Sequence, residues 1–549
     1  MKVYQALAES FVREQTSTVF GLMGDANMQW MNAMSALGVE MVNVRHEGAG
    51  LAMADGWARV TGRPGVCTTT SGPGTAQLAT TMLVASRAGT PLVAFCGDGD
   101  PDNRAEPQYL DQARFAAAIE AEFVRVASPE AAFDAVQRAF FIASSQSRPV
   151  LLSVPSEVQA KDVDLDPDDY VPSRSLLNKW RDAPNQEAVA AAAAIIAAGQ
   201  RVVIVAGRGA VRSGAAAEVQ RLAAASGALV ATSLLAKGFA ADDPFNVGIA
   251  GLYATRYAIE LCQQADVVIG VGASLNAYTT EHGYLFPDAR YVQVDTRPAA
   301  LLGDGRVADC YVRADAALAA DAIADALEAH PAPVGFRTPE VRDLLAQASE
   351  DSQPFDLDDG TLDPREVVRQ LDRDIPDTIG LVLGSGHQVR FPTMLMNRKR
   401  PFVIAQHHFG CIGQGLTVGI GASLASDRAP VFTVEGDAGF MMHLAEFETA
   451  VRYRVPLLVV VMNDEAIGAE FHKSVASGLD QSLTLMTTPD LGLVGRSLGG
   501  SGALVRTTDE LSVALADFVA NPRPYLLDVR ISRTVLSIPY RRLWYGEDV

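Results

Sequence analysis

The stretch VEGDAGFMMHLAEFETAVRYRVPLLVVVMNDEAIGAEFH, Val434 to His472, carries two carboxylates, Asp437 and Asp464, each just after a short apolar run. It reads as strand, tight turn, amphipathic helix, strand and polar terminus. A right-handed crossover between two such strands brings both carboxylates to one crevice at the carboxyl end of a parallel sheet. Two hard oxygen ligands there suit magnesium, which keeps waters and accepts phosphate oxygens as its other ligands. Alone, the same residues read equally as a turn aspartate and an Asn-Asp strand end. A second stretch, VRHEGAGLAMADGWARVTGRPGVCTTTSGPGT from Val44 to Thr75, puts Glu47 at a helix start and leads through a strand into a Gly-Pro-Gly turn. Acids are common at helix N-termini and glycine and proline mark any sharp bend, so neither feature specifies chemistry by itself.

The elements that must position these residues are visible as short β-branched runs. They are VCTTT from Val66, PLVAF from Pro91, VLLSV from Val150, VVIVAG from Val202, VVIGVG from Val267 and YVQVD from Tyr291, then IGLVL from Ile379, FVIA from Phe402, VFTV from Val431, PLLVVVM from Pro456 and YLLDV from Tyr525. Nearly continuous apolar strands separated by alanine-rich helical stretches predict an α/β fold with parallel sheets flanked by helices, in more than one copy. Two segments interrupt the rhythm as linkers: acidic, proline-bearing KDVDLDPDDYVPSRS from Lys161, and the stretch from His330 to Asp363. They divide the chain into three consecutive domains, 1–165, 185–330 and 360–535.

Composition agrees. The length of 549 residues suggests three or four domains, each with its own core. With 48% hydrophobic residues and a net charge of −20, the chain is neither disordered nor suited to a nucleic acid backbone. Five cysteines stand far apart in sequence, with none at metal-ligand spacing, which predicts a reduced, cytoplasmic protein. Lys2, Glu9, Arg13 and Glu14 fall where a signal peptide needs an uncharged core, and the longest apolar runs are shorter than the roughly 18 residues of a span, so no membrane partner is expected.

Several elements in one order resemble the thiamine diphosphate (ThDP) enzymes of the acetolactate synthase, pyruvate oxidase, and benzoylformate and pyruvate decarboxylase superfamily. They are VFGLMGD, RHEGAGLAMADGWAR, TTTSGPGT, a central GRGAVRSG, GHQ, HFGCIGQGL, GDAGF and NDE. The resemblance covers nearly the whole chain and implies a pyrimidine-binding first domain, a central domain of dinucleotide-binding-like fold and a diphosphate- and Mg2+-binding last domain. It implies that Glu47 hydrogen-bonds a pyrimidine nitrogen of the cofactor and promotes its activation. Asp437 and Asp464, with the backbone carbonyl of Ala466, are the implied magnesium ligands; many relatives carry Asn at the position of Asp464. Gly410 matches the residue whose carbonyl accepts from the cofactor's amino group, and Ile412 the apolar wedge that bends the cofactor. His387, Gln388, the Gly436-Asp437-Ala438-Gly439 turn and the Thr70-Ser71-Gly72 loop are the remaining implied cofactor contacts. In relatives the cofactor lies between the first domain of one subunit and the last domain of its partner, so a homodimer or homotetramer is implied.

The central VVIVAGRGAVRSG has the strand, glycine turn and helix of a dinucleotide fold, and by itself it suggests a dehydrogenase. Gly207, Gly209 and Gly214 miss the full fingerprint spacing. The family's central domain binds FAD in some members; the Arg-Phe-Asp that usually accompanies it reads Ser274-Leu275-Asn276 here, so FAD is not expected.

The family acts on 2-oxo acids through an enamine, whose fate sets the reaction: a proton gives an aldehyde, a second carbonyl gives a carboligated product. Asp25 in GLMGDAN and Glu470 match catalytic acids of pyruvate decarboxylase and favour protonation. The His-His pair of that enzyme is missing from GDGDPDNRAEPQYLDQ, and Thr70 stands where benzoylformate decarboxylase has a catalytic histidine. His407, His408 or His472 would then supply a proton, or each is structural. The expectation is a nonoxidative 2-oxo acid decarboxylase, with acetolactate-synthase-like carboligation as the alternative and a catalytically silent ThDP fold as a third.

Overall fold

The computed structural model describes residues 1–99, 105–178, 180–297, 300–330, 335–347 and 351–547. Residues 100–104, in the segment compared with the His-His pair, and 331–334 and 348–350 of the second linker lie outside the described residues.

Three six-stranded sheets follow one another along the chain, and every pairing between their strands is parallel. The first holds β1 (Thr18–Gly21), β2 (Glu40–Asn43), β3 (Gly65–Thr69), β4 (Leu92–Asp98), β5 (Glu122–Arg125) and β6 (Pro149–Pro155). The second holds β7 (Val202–Ala206), β8 (Leu229–Thr232), β9 (Asn246–Ile249), β10 (Val267–Val271), β11 (Arg290–Asp295) and β12 (Cys310–Arg313). The third holds β13 (Gly380–Leu383), β14 (Val403–Ala405), β15 (Val431–Gly436), β16 (Leu457–Asn463), β17 (Ser501–Val505) and β18 (Tyr525–Arg530). The α/β architecture of three parallel-sheet domains is therefore as expected.

The first and third sheets share one strand order, β2-β1-β3-β4-β6-β5 and β14-β13-β15-β16-β18-β17. In each, the order reverses beside the first strand, and such switch points open a crevice at the carboxyl edge. The second sheet runs β12-β11-β10-β7-β8-β9, the doubly wound dinucleotide-binding order. Central strands such as β4, β6 and β16 are buried along their whole length, which is why they read as unbroken apolar runs.

The outer domains share one continuous core in which Phe20, Leu51 and Met53 join Leu416, Val418 and Val459. The helices Glu47–Thr61 and Gly415–Ala425 cross in it so closely that a Cβ on Gly421 would lie 1.8 Å from the Met53 carbonyl oxygen, and one on Gly56 2.2 Å from that of Val418. The central domain keeps separate cores on the two faces of its own sheet. Within the second linker the helix Pro339–Gln347 lies against one of these, with Val341, Leu344 and Leu345 beside it. All five cysteines are unpaired, and among the described residues no helix is long and apolar enough to cross a membrane.

Candidate active site

Asp437 opens the helix Asp437–Met442 directly after β15, and Asp464 follows β16, the neighbouring strand. Both are buried, at 1% and 5% exposure. Burial and then the charge of Asp464 push the Asp437 carboxyl up; burial also pushes up Asp464, against the hydrogen bond its Oδ1 accepts from the Ala466 amide at 3.1 Å. Oδ2 of Asp437 has no hydrogen-bond partner. A buried acid pair with an orphan oxygen fits a divalent cation, whose charge would offset both the repulsion and the lost hydration. No cluster of three metal-binding side chains occurs among the described residues, so a shell here needs a backbone carbonyl, such as that of Ala466, and ligand oxygens.

The neighbouring turn is close-packed around this pair. A Cβ on Gly436 would meet Gln388 Nε2 at 2.0 Å, and one on Gly468 would meet Asp464 Oδ2 at 2.6 Å. Gln388, from the loop after β13, thus lies against the Gly436 turn. His387 is buried beside it, its ring 4.2 Å from that of His472 and 4.8 Å from Tyr540, and its Nε2 accepts from the Ser537 amide at 3.2 Å. Burial holds His387 well below the ordinary histidine range, so the imidazole is neutral. Ala438 and Gly439 continue the Asp437 helix; a Cβ on Gly439 would come within 3.2 Å of Glu435 Oε1 and of the Gly413 amide.

Gly410 and Ile412 lie on the loop between β14 and the Gly415–Ala425 helix, where Phe409, Gly410 and Gly413 all have positive φ. Glu435 holds this loop by accepting from the amides of Gly413 (3.1 Å), Gly415 (3.2 Å) and Leu416 (3.1 Å), and burial pushes its carboxyl up to about 7. His443 Nδ1 meets the Gly413 carbonyl at 2.8 Å. His407 and His408 precede the turn, half-buried; desolvation lowers them to about 4 and about 3. Ile412 is half-buried.

The first domain gathers its residues at the equivalent edge. Glu47 is the first residue of its helix and half-buried, with Oε1 3.1 Å from where a Cβ on Gly74 would stand. Thr70, Ser71 and Gly72 follow β3. The Thr70 hydroxyl accepts from the Ala26 amide at 3.4 Å and the Ser71 hydroxyl donates to the Gln108 amide oxygen. Asp25 sits exposed in the turn after β1, which Asn27 closes by accepting from the Gly24 amide at 2.8 Å and donating to the Thr68 hydroxyl at 3.1 Å. Glu470 is likewise exposed, paired with Lys473 at 3.0 Å.

Sequence reasoning passed over Glu435 and Glu446. Glu446 is 1% exposed, and its Oε1 accepts from the amides of Arg45 and His46, both at 2.9 Å, so the last domain pins the turn that leads into Glu47. The signal was present: Glu446 shares its helix face with Thr449 and Ala450, so a carboxylate falls on the apolar side of an amphipathic helix.

Duplicated outer domains around a dinucleotide-type centre, with an acid pair at a carboxyl-edge crevice, define the class as a three-domain α/β protein. Its members are identified by sequence. Family models for the thiamine pyrophosphate enzymes match the N-terminal TPP-binding domain at residues 1–116, the central domain at 189–324 and the C-terminal TPP-binding domain at 385–529. The chain belongs to this family, whose cofactor is ThDP under another name. Among its relatives are a probable acetolactate synthase large subunit of Methanocaldococcus jannaschii, 27% identical over 97% of this chain and 92% of the relative. A sulfoacetaldehyde acetyltransferase of Castellaniella defragrans is 26% identical over 98% and 94%. A probable 2-ketoarginine decarboxylase of Pseudomonas aeruginosa is 29% identical over 92% and 90%.

Proposed function

We propose that this ThDP enzyme is a magnesium-dependent, nonoxidative 2-oxo acid decarboxylase of the cytoplasm, working as a homodimer or homotetramer with its sites between subunits. Asp437, Asp464 and the Ala466 carbonyl hold the metal. Gln388, His387, the Gly436–Gly439 turn and Thr70–Gly72 line the cofactor, Gly410 accepts from it and Ile412 wedges it. ThDP, when bound, supplies the carbon nucleophile and takes up the electron pair that departing CO2 leaves behind. Glu47 shares a proton with the cofactor's pyrimidine from its half-buried place at the first sheet's edge.

The observation that carries the protonating outcome is the placement of the acids. Asp25 and Glu470 lie one on each outer domain, where a covering partner subunit would desolvate them and favour their protonated forms, whereas burial holds His407 and His408 as neutral imidazoles at pH 7 and not as imidazolium donors. We assign the proton delivered to the product carbon to Asp25 and Glu470. Exposed apolar side chains stand near each, Met23 and Met28 by Asp25 and Leu479 and Leu483 after Glu470, as expected of surfaces a partner subunit covers. The relative named as a 2-ketoarginine decarboxylase supports this reading; those named as acetolactate synthases support carboligation as a second.

Product analysis separates the two. Incubation with pyruvate, benzoylformate, branched 2-oxo acids and 2-ketoarginine should yield the aldehyde one carbon shorter from at least one of them. Acetolactate without aldehyde overturns the decarboxylase reading in favour of carboligation, and no turnover of any overturns both. Sedimentation should find a dimer or larger; an active monomer would rule out the shared site.

A further inference from the structure

A cavity of about 310 Å³ lies between the central and last domains, lined by the β8–β9 connection, the helix Pro339–Gln347 and the helix Arg390–Leu395. Its size falls within the range of small-molecule sites, which favour domain boundaries. None of the residues assigned above to metal or cofactor lines it. It sits by the β8–β9 edge of the second sheet, away from the β7/β10 switch point where a doubly wound sheet holds a dinucleotide.

Its lining has one apolar side and one unanswered charge. Phe239, Ile249, Leu345 and Met394 supply carbon surface. Three charged residues face it: Asp243, Arg342 and Lys237. Asp243 is paired with Arg337 at 2.6 Å and Arg342 with Asp343 at 3.0 Å. Lys237 has no hydrogen-bond or ion-pair partner among the described residues. The carboxylate whose field favours its charge, Asp372, is already committed, one oxygen to Arg400 at 3.0 Å and the other to the Asn397 amide at 3.2 Å. Desolvation lowers the amine to about 8, with Arg400 opposing its charge, so at neutral pH a mostly protonated ammonium is held in a site that offers it no counter-ion. Such a group binds an anion more strongly than a surface lysine does, because its competing hydration is already reduced.

We propose that this cavity is a binding site for a small amphipathic carboxylate, whose single negative charge pairs with Lys237 and whose hydrocarbon body packs against Phe239, Ile249, Leu345 and Met394. One unpaired cation calls for a monoanion, and the carbon-rich wall for several methylene groups, not for a bare inorganic ion. The proposal does not depend on the reaction assigned above, since binding can be read without turnover.

Hexanoate is a suitable probe, titrated calorimetrically into the full chain at millimolar concentration, with hexanamide as the neutral control of the same shape. The expected result is saturable binding near one per chain, with hexanamide at least tenfold weaker. Lys237→Met keeps the aliphatic stem and removes the charge, and should weaken hexanoate at least tenfold. Ala346→Trp, on the exposed side of the lining helix, should block binding without touching the core, which keeps the test decisive if Lys237→Met folds poorly. Absence of binding to the unmodified chain, equal affinity for hexanamide, or undiminished binding by a folded Lys237→Met or Ala346→Trp protein would each overturn the proposal.

Discussion

The roles proposed for Glu47 and Asp437 ask opposite things of a carboxyl group, and their surroundings differ. Glu47 is half-buried at a helix start, where a proton can be shared with a bound ring. Glu47→Gln keeps the shape and removes the acid, so turnover should fall about 10²-fold or more while ThDP affinity is retained, as calorimetry and product assays can show. Near-normal turnover would mean that its assigned role is wrong. Asp437 has an orphan oxygen beside Asp464, and in the proposed function a cation occupies that place. Chelation of divalent metal should therefore abolish ThDP binding, and added Mg2+ should restore it; ThDP binding that survives exhaustive chelation would refute the metal site. Both residues stand in local motifs, so the sequence alone makes them candidates. Glu446 was harder to see, because its importance lies in amides that are distant in the chain.

At the scale of elements, the crossing of Glu47–Thr61 over Gly415–Ala425 ties Glu47 to the domain that carries Ile412. Glycine is required there by contact: any side chain on Gly421 strikes the Met53 carbonyl. Gly421→Val should cost roughly 1–3 kcal/mol or more through overpacking, read as a lowered Tm and denaturation midpoint. An unchanged midpoint would show that the helices can separate freely. The eleven strands read from apolar runs all form, and they are mostly the central ones. The seven that were passed over include β2, β5, β9, β12 and β17, five of the six sheet edges. Edge strands are short and only partly covered, so their sequences do not carry the continuous apolar signature of a strand buried on both faces.

For the whole molecule, four desolvated histidines make a pH prediction. His387 is held well below its ordinary range, and His407, His408 and His472 lie at about 4, about 3 and about 4, because burial penalises their charged forms. The unfolded chain takes up protons at these sites near pH 6.5 while the folded chain does not, so the histidines' contribution to stability is full above about pH 6.5 and is lost as pH falls towards 4, while the raised carboxyls of Asp437, Asp464 and Glu435 take up protons in the folded chain and oppose it. Between about pH 6.5 and 4 the denaturant midpoint of the unmodified chain should fall relative to that of a His407→Gln, His472→Gln double variant. An equal slope in the double variant would mean that these histidines are not the titrating groups.

The sequence by itself determined the fold class, the three-part layout and the local motifs, because strand burial, turn geometry and a carboxylate at the end of a strand are written in consecutive residues. Only the tertiary structure decided which motifs meet. The shared core of the outer domains, the hold of Glu446 on the Glu47 turn, the neutrality of His407 and His408 and the unanswered charge of Lys237 each depend on groups far apart in sequence. Burial and counter-charge are properties of the packed surroundings, and no run of residues records them.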